Sequence, residues 1–201
     1  MSESVHMAPD YGRHHRRKAI RLRGYDYSQP GFYFVTICAY QREMLFGDVV
    51  NGKMVCNSIG EVIQREIKEM SCHFGHVSVN SWCIMPNHVH LLLHIGQSVA
   101  APLAAPPQKA ETPENQDSTS SAPSYPTLGN IVRGFKSAVS RNTGIRVWQR
   151  GYHDHIVRNA NEFVTIREYI QSNPANWEQD RHNPLHPKFR EWRDVPADLL
   201  R

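Results

Sequence analysis

Hydrophobic residues in the first part of the chain follow two different periods. The stretches GFYFVTICAY (31–40) and VSVNSWCIM (77–85) are rich in aromatic and β-branched residues, which predicts two largely buried strands. Between them, Ser58 and Glu61 have the spacing of a capping box, and apolar residues recur on one helical face up to about Cys72. That face comprises Ile59, Val62, Ile63, Ile67 and Met70. The pattern predicts a strand, a helix and a second strand.

A third strand is expected almost immediately after the second. The stretch HVHLLLHI (88–95) is separated from residues 77–85 only by Pro86 and Asn87, a pair typical of tight turns. The two strands should therefore run antiparallel. Residues 97–126 are then rich in Pro, Ala, Ser and Thr with almost no aromatic residues, which predicts a disordered insertion within the domain.

Two helices and one extended segment are predicted after this insertion. Thr127 can cap an amphipathic helix, and VWQRGYHDHIV (147–157) has the character of a fourth strand. Asn161 is expected to cap a last helix, which Pro174 ends. The apolar face of the first of these helices comprises Leu128, Ile131, Val132, Phe135, Ala138 and Val139. The tail from Trp177 is polar and mixed in charge, and it indicates no function.

The resulting order, β-α-β-β-α-β followed by a further helix, predicts an α+β protein with a ferredoxin-like (RRM-like) sandwich. We divide the chain into a basic N-terminal arm (1–24), one domain (25–177) and a C-terminal tail (178–201). At 201 residues, the chain is long enough for one domain with a substantial core. This fold supports many functions, so function must be argued from a site.

Positive charge is concentrated at the N-terminus. The chain has a net charge of +4, and residues 1–23 alone carry six basic and two acidic residues. The basic residues of this arm are Arg13, Arg16, Arg17, Lys18, Arg21 and Arg23. Such an arm is suited to the phosphate backbone of a nucleic acid, although it could equally be a solvated, flexible terminus.

Several classes of protein are disfavoured by composition. The apolar runs are far shorter than the ~18 residues of a membrane span, and the basic N-terminus lacks the apolar core of a signal peptide. We therefore expect a cytoplasmic protein without membrane association. The four cysteines are scattered, which predicts reduced and mostly buried thiols rather than disulfides or a zinc site.

Two histidines, His88 and His90, lie one residue apart on the third predicted strand, which we expect to be central in the sheet. Side chains two apart on a strand point to the same face, so the two imidazoles can converge on one ion while Val89 enters the apolar side. However, a chain with twelve histidines contains roughly one such pair by chance, and a second pair occurs in GYHDHIVRN. Two ordinary surface histidines remain the alternative.

A tyrosine and an asparagine on the last predicted helix add to this picture. Tyr169 and Asn173 are four residues apart and therefore share one helical face. Two imidazoles, one amide oxygen and open water positions suit Mg²⁺ or Mn²⁺, which also leave room for a phosphate. Alternatively, Tyr169 packs as an ordinary aromatic residue and Asn173 simply ends the helix before Pro174.

Taken with the surrounding motifs, these residues resemble the single-tyrosine HUH transposases, and within them the REP-associated tyrosine transposases and their relatives. The resemblance extends from about residue 19 to residue 177. The motifs that carry it are GYDYSQPGFYFVTICAYQREMLFG, WCIMPNHVHLLL, GFKS, VWQRGYHDHIVRN and REYIQSNP.

The resemblance implies a role for each residue of the candidate site. His88 and His90 would be metal ligands, Asn173 the third ligand, and Tyr169 the nucleophile that forms a 5′-phosphotyrosine link and frees a 3′-OH. In GYHDHIVRN only His155 matches a histidine common in the family. The resemblance also implies the same ferredoxin-like sandwich and a strand exchange that needs no ATP.

The implied substrate is single-stranded DNA near imperfect hairpins. The basic arm could hold backbone phosphates together with Arg133, Lys136 and Arg141. Trp148 or Tyr152 could stack on bases, or either residue could belong to the core. The sequence is compatible with a homo-oligomer but does not require one.

Two other classes of function remain open at this point. The first is a non-catalytic RRM-like nucleic-acid-binding module, in which His88 and Tyr169 would be dispensable and aromatic residues would occupy an open sheet face. The second is a domesticated endonuclease that nicks DNA without transposing it.

Overall fold

A four-stranded antiparallel sheet forms the centre of the molecule, with strand order β4-β5-β1-β6. The computed structural model of the chain describes residue 22, residues 24–96 and residues 126–186. The strands are β1 (Gly31–Cys38), β2 (Gly47–Val50), β3 (Lys53–Cys56), β4 (Val77–Met85), β5 (His88–Ile95) and β6 (His153–Val157). The helices are α1 (Ser58–Lys68), α2 (Met70–His73), α3 (Leu128–Thr143) and α4 (Ala160–Ser172), followed by a 3-10 helix (Pro174–Gln179). The expected mixture of helices with an antiparallel sheet is confirmed.

The two faces of this sheet are covered by different helices. On one face, Val89 and Leu91 of β5 belong to a core that includes Ile63 of α1 and Phe135 of α3. The opposite face packs against α4 through a smaller core of Phe34, Cys83, Met85, Leu92, Ile166, Ile170 and Trp177. Because side chains alternate along β5, His88 and His90 lie on the face that α4 covers.

The connection between β4 and β5 confirms the predicted tight turn. Met85 pairs with His88 across the turn, and the two strands are antiparallel. Since β5 pairs with β4 on one side and β1 on the other, it is an interior strand, as expected. The histidine pair is therefore fixed by two neighbouring strands.

Two of the three predicted helix caps were wrong. Asn57 caps α1, because its side chain accepts hydrogen bonds from the amides of Ile59 and Gly60, whereas Ser58 is already helical. Likewise Asn159, rather than Asn161, caps α4 by accepting a bond from the Glu162 amide. In both cases the cap is an asparagine in extended conformation, one residue before the predicted cap in α1 and two residues before it in α4. The Thr127 cap of α3 is confirmed by its bond from the Asn130 amide.

A two-stranded hairpin, β2–β3, was not predicted. Its turn contains Asn51 and Gly52, both with positive φ of 52° and 71°. Asn-Gly between short alternating strands is a strong hairpin signal, which the sequence reasoning overlooked. The short helix α2 was likewise not separated from α1.

Several sequence expectations fall wholly or partly outside the described residues. These are the arm residues 1–21 and 23, the insertion residues 97–125 and the tail residues 187–201. The division into arm, domain and tail stays a prediction. Within the part of the chain that the structure describes, no helix is both long enough and apolar enough to cross a bilayer.

The cysteines are free thiols, as expected. Cys38 and Cys83 are buried, Cys56 is half-buried and Cys72 is exposed. Burial raises the pKa of both Cys38 and Cys83 to about 12, which keeps these thiols protonated and unreactive.

Candidate metal and tyrosine site

The imidazoles of His88 and His90 converge at the start of β5. Their Nε2 atoms are 3.1 Å apart, and both side chains are almost completely buried. Nitrogens that share one ion at about 2.1 Å each lie about 3.0 to 3.4 Å apart, depending on the coordination angle. The observed spacing therefore fits two ligands of one ion. The alternative of two surface histidines does not describe this pair, since neither is exposed.

The other nitrogen of each imidazole is held by a neighbouring polar side chain. The Asn87 amide group donates to the carbonyl oxygens of His182 (2.7 Å) and Arg42 (3.3 Å), so its oxygen faces His88 Nδ1 at 2.9 Å. His88 must therefore donate from Nδ1, which leaves a lone pair on Nε2. Thr36 Oγ1 lies 2.8 Å from His90 Nδ1 and can accept in the same way. In metal-binding proteins, ligand histidines are usually oriented by such a hydrogen bond at the nitrogen that does not bind the metal.

Tyr169 lies beside this pair on α4. Its ring centroid is 5.4 Å from that of His90 and 6.1 Å from that of Phe34. Asn173, at the end of α4, is buried. Burial raises the pKa of both Tyr169 and Asp180, and the side chain of Asn173 offsets part of each increase. Its Oδ1 atom is buried without a hydrogen-bond partner among the described residues. The four predicted site residues are thus brought together by β5 and α4.

Two further residues of this cluster, Asp180 and His182, were not predicted from the sequence. Asp180 Oδ2 lies 3.9 Å from His88 Nε2, and only 4% of the Asp180 side chain is exposed. His88, Asp180 and His182 can each offer a ligand atom within 4.8 Å of the others. The segment that carries Asp180 and His182 begins at Trp177, where we expected an uninformative tail. Its mixed polarity gave no local sign that it folds back over β5.

The electrostatic environment keeps the histidines neutral and the tyrosine protonated. Burial is the main cause in each case: it lowers the pKa of His88 well below its usual value, that of His90 to about 3 and that of His182 to about 2. Burial raises the pKa of Tyr169 to about 12, and the Asp180 charge adds to this effect. A cation in the cluster would stabilise the negative charge of both the buried carboxylate and a developing phenolate.

The donor set fits a divalent cation. Two imidazole nitrogens, the unpartnered amide oxygen of Asn173 and a buried carboxylate form a mixed nitrogen and oxygen set. Oxygen donors of this kind favour Mg²⁺ or Mn²⁺, and imidazole is compatible with several transition metals. The orphaned Asn173 oxygen is the clearest structural sign of a missing partner, since buried polar atoms are rarely left unbonded.

The second histidine pair lies on the edge strand β6. Thr36 of β1 pairs with His90 on one side and with His153 on the other. The two histidines therefore occupy the same face of the sheet, with β1 between them. His155 instead contacts the Glu162 carboxylate, which also accepts a bond from the Arg158 amide. In this way His155 links β6 to the first turn of α4, the helix that carries Tyr169.

The predicted DNA-binding residues of α3 lie away from the histidine pair. Helix α3 packs on the opposite face of the sheet, where Arg133 and Arg141 are exposed. The Lys136 ammonium donates to the carbonyl oxygens of Gln149 (2.7 Å) and Gly151 (3.0 Å), so it holds the segment before β6. A role for these three residues in binding DNA stays a prediction, as does any role for the arm.

Of the two candidate stacking residues, Trp148 belongs to the core. Its ring packs against Phe46 and Phe135, and it is only 6% exposed. Tyr152 is half-buried and packs against the same core. The core alternative that the sequence left open therefore describes Trp148, while Tyr152 keeps an accessible part.

Comparison with known proteins relates this architecture to transposases. No family model matches the chain. A Haemophilus influenzae protein named "Uncharacterized protein" is 40% identical over 175 residues, which cover 85% of this chain and 94% of that protein. A second Haemophilus influenzae protein, named "Putative REP-associated tyrosine transposase", is 23% identical over 156 residues, 75% of this chain and 73% of that protein.

A solved structure extends the comparison to the fold. It is the structure of a REP-associated tyrosine transposase bound to a REP hairpin, which has a TM-score of 0.50 and 17% identity, with 88% of this chain and 95% of that chain covered. The solved structure thus shows that the chain shares the fold of a transposase, and the second relative bears the name of one. The chain belongs to one family with the first Haemophilus influenzae protein, and its resemblance to the REP-associated tyrosine transposases is confirmed.

Proposed function

We propose that this protein cleaves and rejoins single-stranded DNA near hairpins through a covalent 5′-phosphotyrosine intermediate on Tyr169. In this proposal His88, His90 and Asn173 hold a divalent cation, Mg²⁺ or Mn²⁺. The observation that carries the proposal is the position of the Tyr169 ring, 5.4 Å from the ring of His90, within a buried cluster that also contains His88 and Asn173.

The chemistry follows from the properties of the phenol. With its pKa raised to about 12, Tyr169 is a phenolate in only about one molecule in 10⁵ at pH 7. When bound, a divalent cation would polarise the scissile phosphate and offset the charge of the phenolate and of the phosphate oxygens. In this proposal the nearby side chain of Asn173 donates a hydrogen bond to the Tyr169 oxygen and so orients the nucleophile.

The cleavage step conserves the phosphodiester as a protein–DNA link. The Tyr169 oxygen loses its proton and attacks phosphorus, the bond from phosphorus to O3′ breaks, and the leaving O3′ is protonated. A 3′-OH can later attack the same phosphorus and break the bond to Tyr169. Because one ester replaces another at each step, neither step requires nucleotide hydrolysis.

We also assign the sheet to the ferredoxin-like class, with α4 as the additional helix that carries the nucleophile. The order β6-β1-β5-β4, with a helix between β1 and β4 and another between β5 and β6, supports this assignment. The position of α4, by contrast, argues against the RRM-like binding module. Such a module needs an open sheet face for bases, whereas α4 packs over this face.

The partner that we propose is single-stranded or hairpin DNA. The structural neighbour bound to a REP hairpin supports this choice, and the basic arm supplies charge suited to phosphates. A domesticated nicking enzyme would use the same cleavage step and the same site residues.

The test is replacement of Tyr169 by Phe, which removes one oxygen and keeps the ring. We expect Tyr169→Phe to abolish both cleavage of a hairpin-bearing single strand and formation of an SDS-resistant protein–DNA adduct, with DNA binding nearly unchanged. Tyr40→Phe is the matched control, because Tyr40 is also half-buried and lies outside the cluster. An adduct formed by Tyr169→Phe would overturn the assignment of the nucleophile.

A further inference from the structure

We propose that Asp180 is a further protein ligand of the divalent cation, supplied by the segment that follows the tyrosine helix. The inference rests on the proposed function, since it concerns the same cation. The starting observation is a carboxylate that is almost completely buried, with its Oδ2 atom 3.9 Å from His88 Nε2. This nitrogen is the atom that the Asn87 contact leaves with a lone pair.

The segment around Asp180 directs one carboxylate oxygen toward the histidines. Asp180 Oδ1 accepts a hydrogen bond from the His182 amide at 2.7 Å, and the Asp180 amide donates to the Trp177 carbonyl at 3.0 Å. The turn thus uses Oδ1 and leaves Oδ2 on the side of His88. The backbone hydrogen bond to Oδ1 therefore restrains the carboxylate and keeps Oδ2 in this position.

The same segment is tied to the turn that precedes the histidine strand. The Asn87 amide group donates to the His182 carbonyl at 2.7 Å, and the Trp177 ring lies 6.1 Å from the ring of His88. Asn87 therefore holds His88 on one side and the segment bearing Asp180 on the other. A single buried asparagine aligns both candidate ligands.

A second, independent observation points to a cation between these groups. The Oδ1 atom of Asn173 is buried and has no hydrogen-bond partner among the described residues. Asn173 is near enough to Asp180 for its side chain to offset part of the increase that burial causes in the pKa of that carboxyl group. An unbonded amide oxygen beside a buried carboxylate is unfavourable unless a cation satisfies both. The histidines alone could bind many transition metals, whereas an added carboxylate shifts the preference toward Mg²⁺ and Mn²⁺.

The experiment measures Mn²⁺ binding by electron paramagnetic resonance in the Tyr169→Phe protein without DNA. Asp180→Asn removes the charge but keeps an oxygen for the His182 amide. We expect it to weaken Mn²⁺ binding about 10-fold to 100-fold and Co²⁺ binding, measured by its visible absorption, considerably less. Glu178→Gln is the matched control, because it removes the same charge from an exposed residue two positions away.

The outcomes separate this inference from the proposed function. Unchanged Mn²⁺ affinity in Asp180→Asn, with binding still lost in His88→Ala, would overturn only the role of Asp180. An equal loss of Mn²⁺ and Co²⁺ affinity, together with a lower melting temperature of the metal-free protein, would show a structural role and would also overturn it. Asp180→Glu, which retains a carboxylate, should recover part of the Mn²⁺ affinity. Absence of Mn²⁺ binding in the Tyr169→Phe parent would instead contradict the proposed function itself.

Discussion

At the scale of single residues, the candidate site depends on polar side chains that are buried in fixed orientations. Asn87 determines which nitrogen of His88 carries the proton, because its amide group is already used by two carbonyl oxygens. Thr36 Oγ1 lies 2.8 Å from His90 Nδ1 and can accept a hydrogen bond from it in the same way. Imidazoles that are already oriented lower the free-energy cost of binding a cation, since they need not reorganise.

The histidine prediction compares the two His-x-His pairs directly. We expect His88→Ala and His90→Ala each to eliminate Mg²⁺- or Mn²⁺-dependent cleavage and to weaken Mn²⁺ binding at least 10-fold. His153→Ala should have a mild effect, because β1 separates His153 from His90. Calorimetric titration with Mn²⁺ decides between them: loss of affinity in the His153 variant alone would move the site to β6.

Asn173 allows a more graded prediction. Asn173→Ala should severely impair cleavage, since it removes both the orphaned oxygen and the side chain that contacts Tyr169. Water can replace an amide oxygen more readily than an imidazole, so high Mn²⁺ concentrations should restore part of the activity. Cleavage rates over a Mn²⁺ titration provide the measurement. Full activity at low Mn²⁺ concentration would exclude Asn173 from the site.

At the scale of secondary-structure elements, close packing at the start of α1 explains a glycine in its first turn. A Cβ atom at Gly60 would lie 2.3 Å from the Phe46 carbonyl oxygen and 2.8 Å from Cys56 Cβ. Helix α1 can therefore approach the β2–β3 hairpin only with glycine at this position. The contact holds the hairpin against α1, which packs on the face of the sheet opposite to α4.

This packing gives a stability prediction. Gly60→Ala should destabilise the protein by about 1–3 kcal/mol, because the backbone must shift to accept the methyl group. Gly75→Ala is the control, since a Cβ atom there would meet nothing within 4 Å. Urea denaturation followed by circular dichroism measures both. Equal midpoints for the two variants would show that α1 can move away from the hairpin at no cost.

At the scale of the whole molecule, helix α3 and the proposed tyrosine site lie on opposite faces of the sheet. The described candidate phosphate-binding residues of α3 lie on the face of the sheet opposite to His88 and Tyr169. The net charge of +4 is contributed by residues 1–23. If DNA reaches the tyrosine, the arm is the part of the sequence best supplied with charge to hold its backbone.

The arm prediction is electrostatic. Deletion of residues 1–23 should weaken binding of a hairpin-bearing single strand and flatten its dependence on salt, by roughly 0.7 in slope for each lost phosphate contact. Replacing the six basic residues of the arm by Gln, at constant length, should have the same effect if charge is the cause. Fluorescence anisotropy over a range of salt concentrations measures both slopes. Unchanged slopes would show that the arm is passive.

Local sequence patterns predicted the strands of the four-stranded sheet and four of the six residues of the candidate site. Strands β1, β4 and β5, the turn at Pro86 and Asn87, and the spacing of Tyr169 and Asn173 all follow from periodicities within a few adjacent residues. The resemblance to transposases rests on the same local motifs. Two cap positions were wrong by one and two residues, because Asn57 competes with Ser58 and Asn159 competes with Asn161 for the same role.

Which distant residues complete the cluster depends on how the elements pack together. Asn87 and His182 are 95 residues apart in the chain, and nothing in the local pattern around Asp180 indicates that its carboxylate faces His88. Similarly, tryptophan is a residue type that can stack on bases, yet the packing of Trp148 against Phe46 and Phe135 places it in the core. Periodicity reports which face of an element is apolar, whereas the identity of the groups that meet depends on how the elements pack.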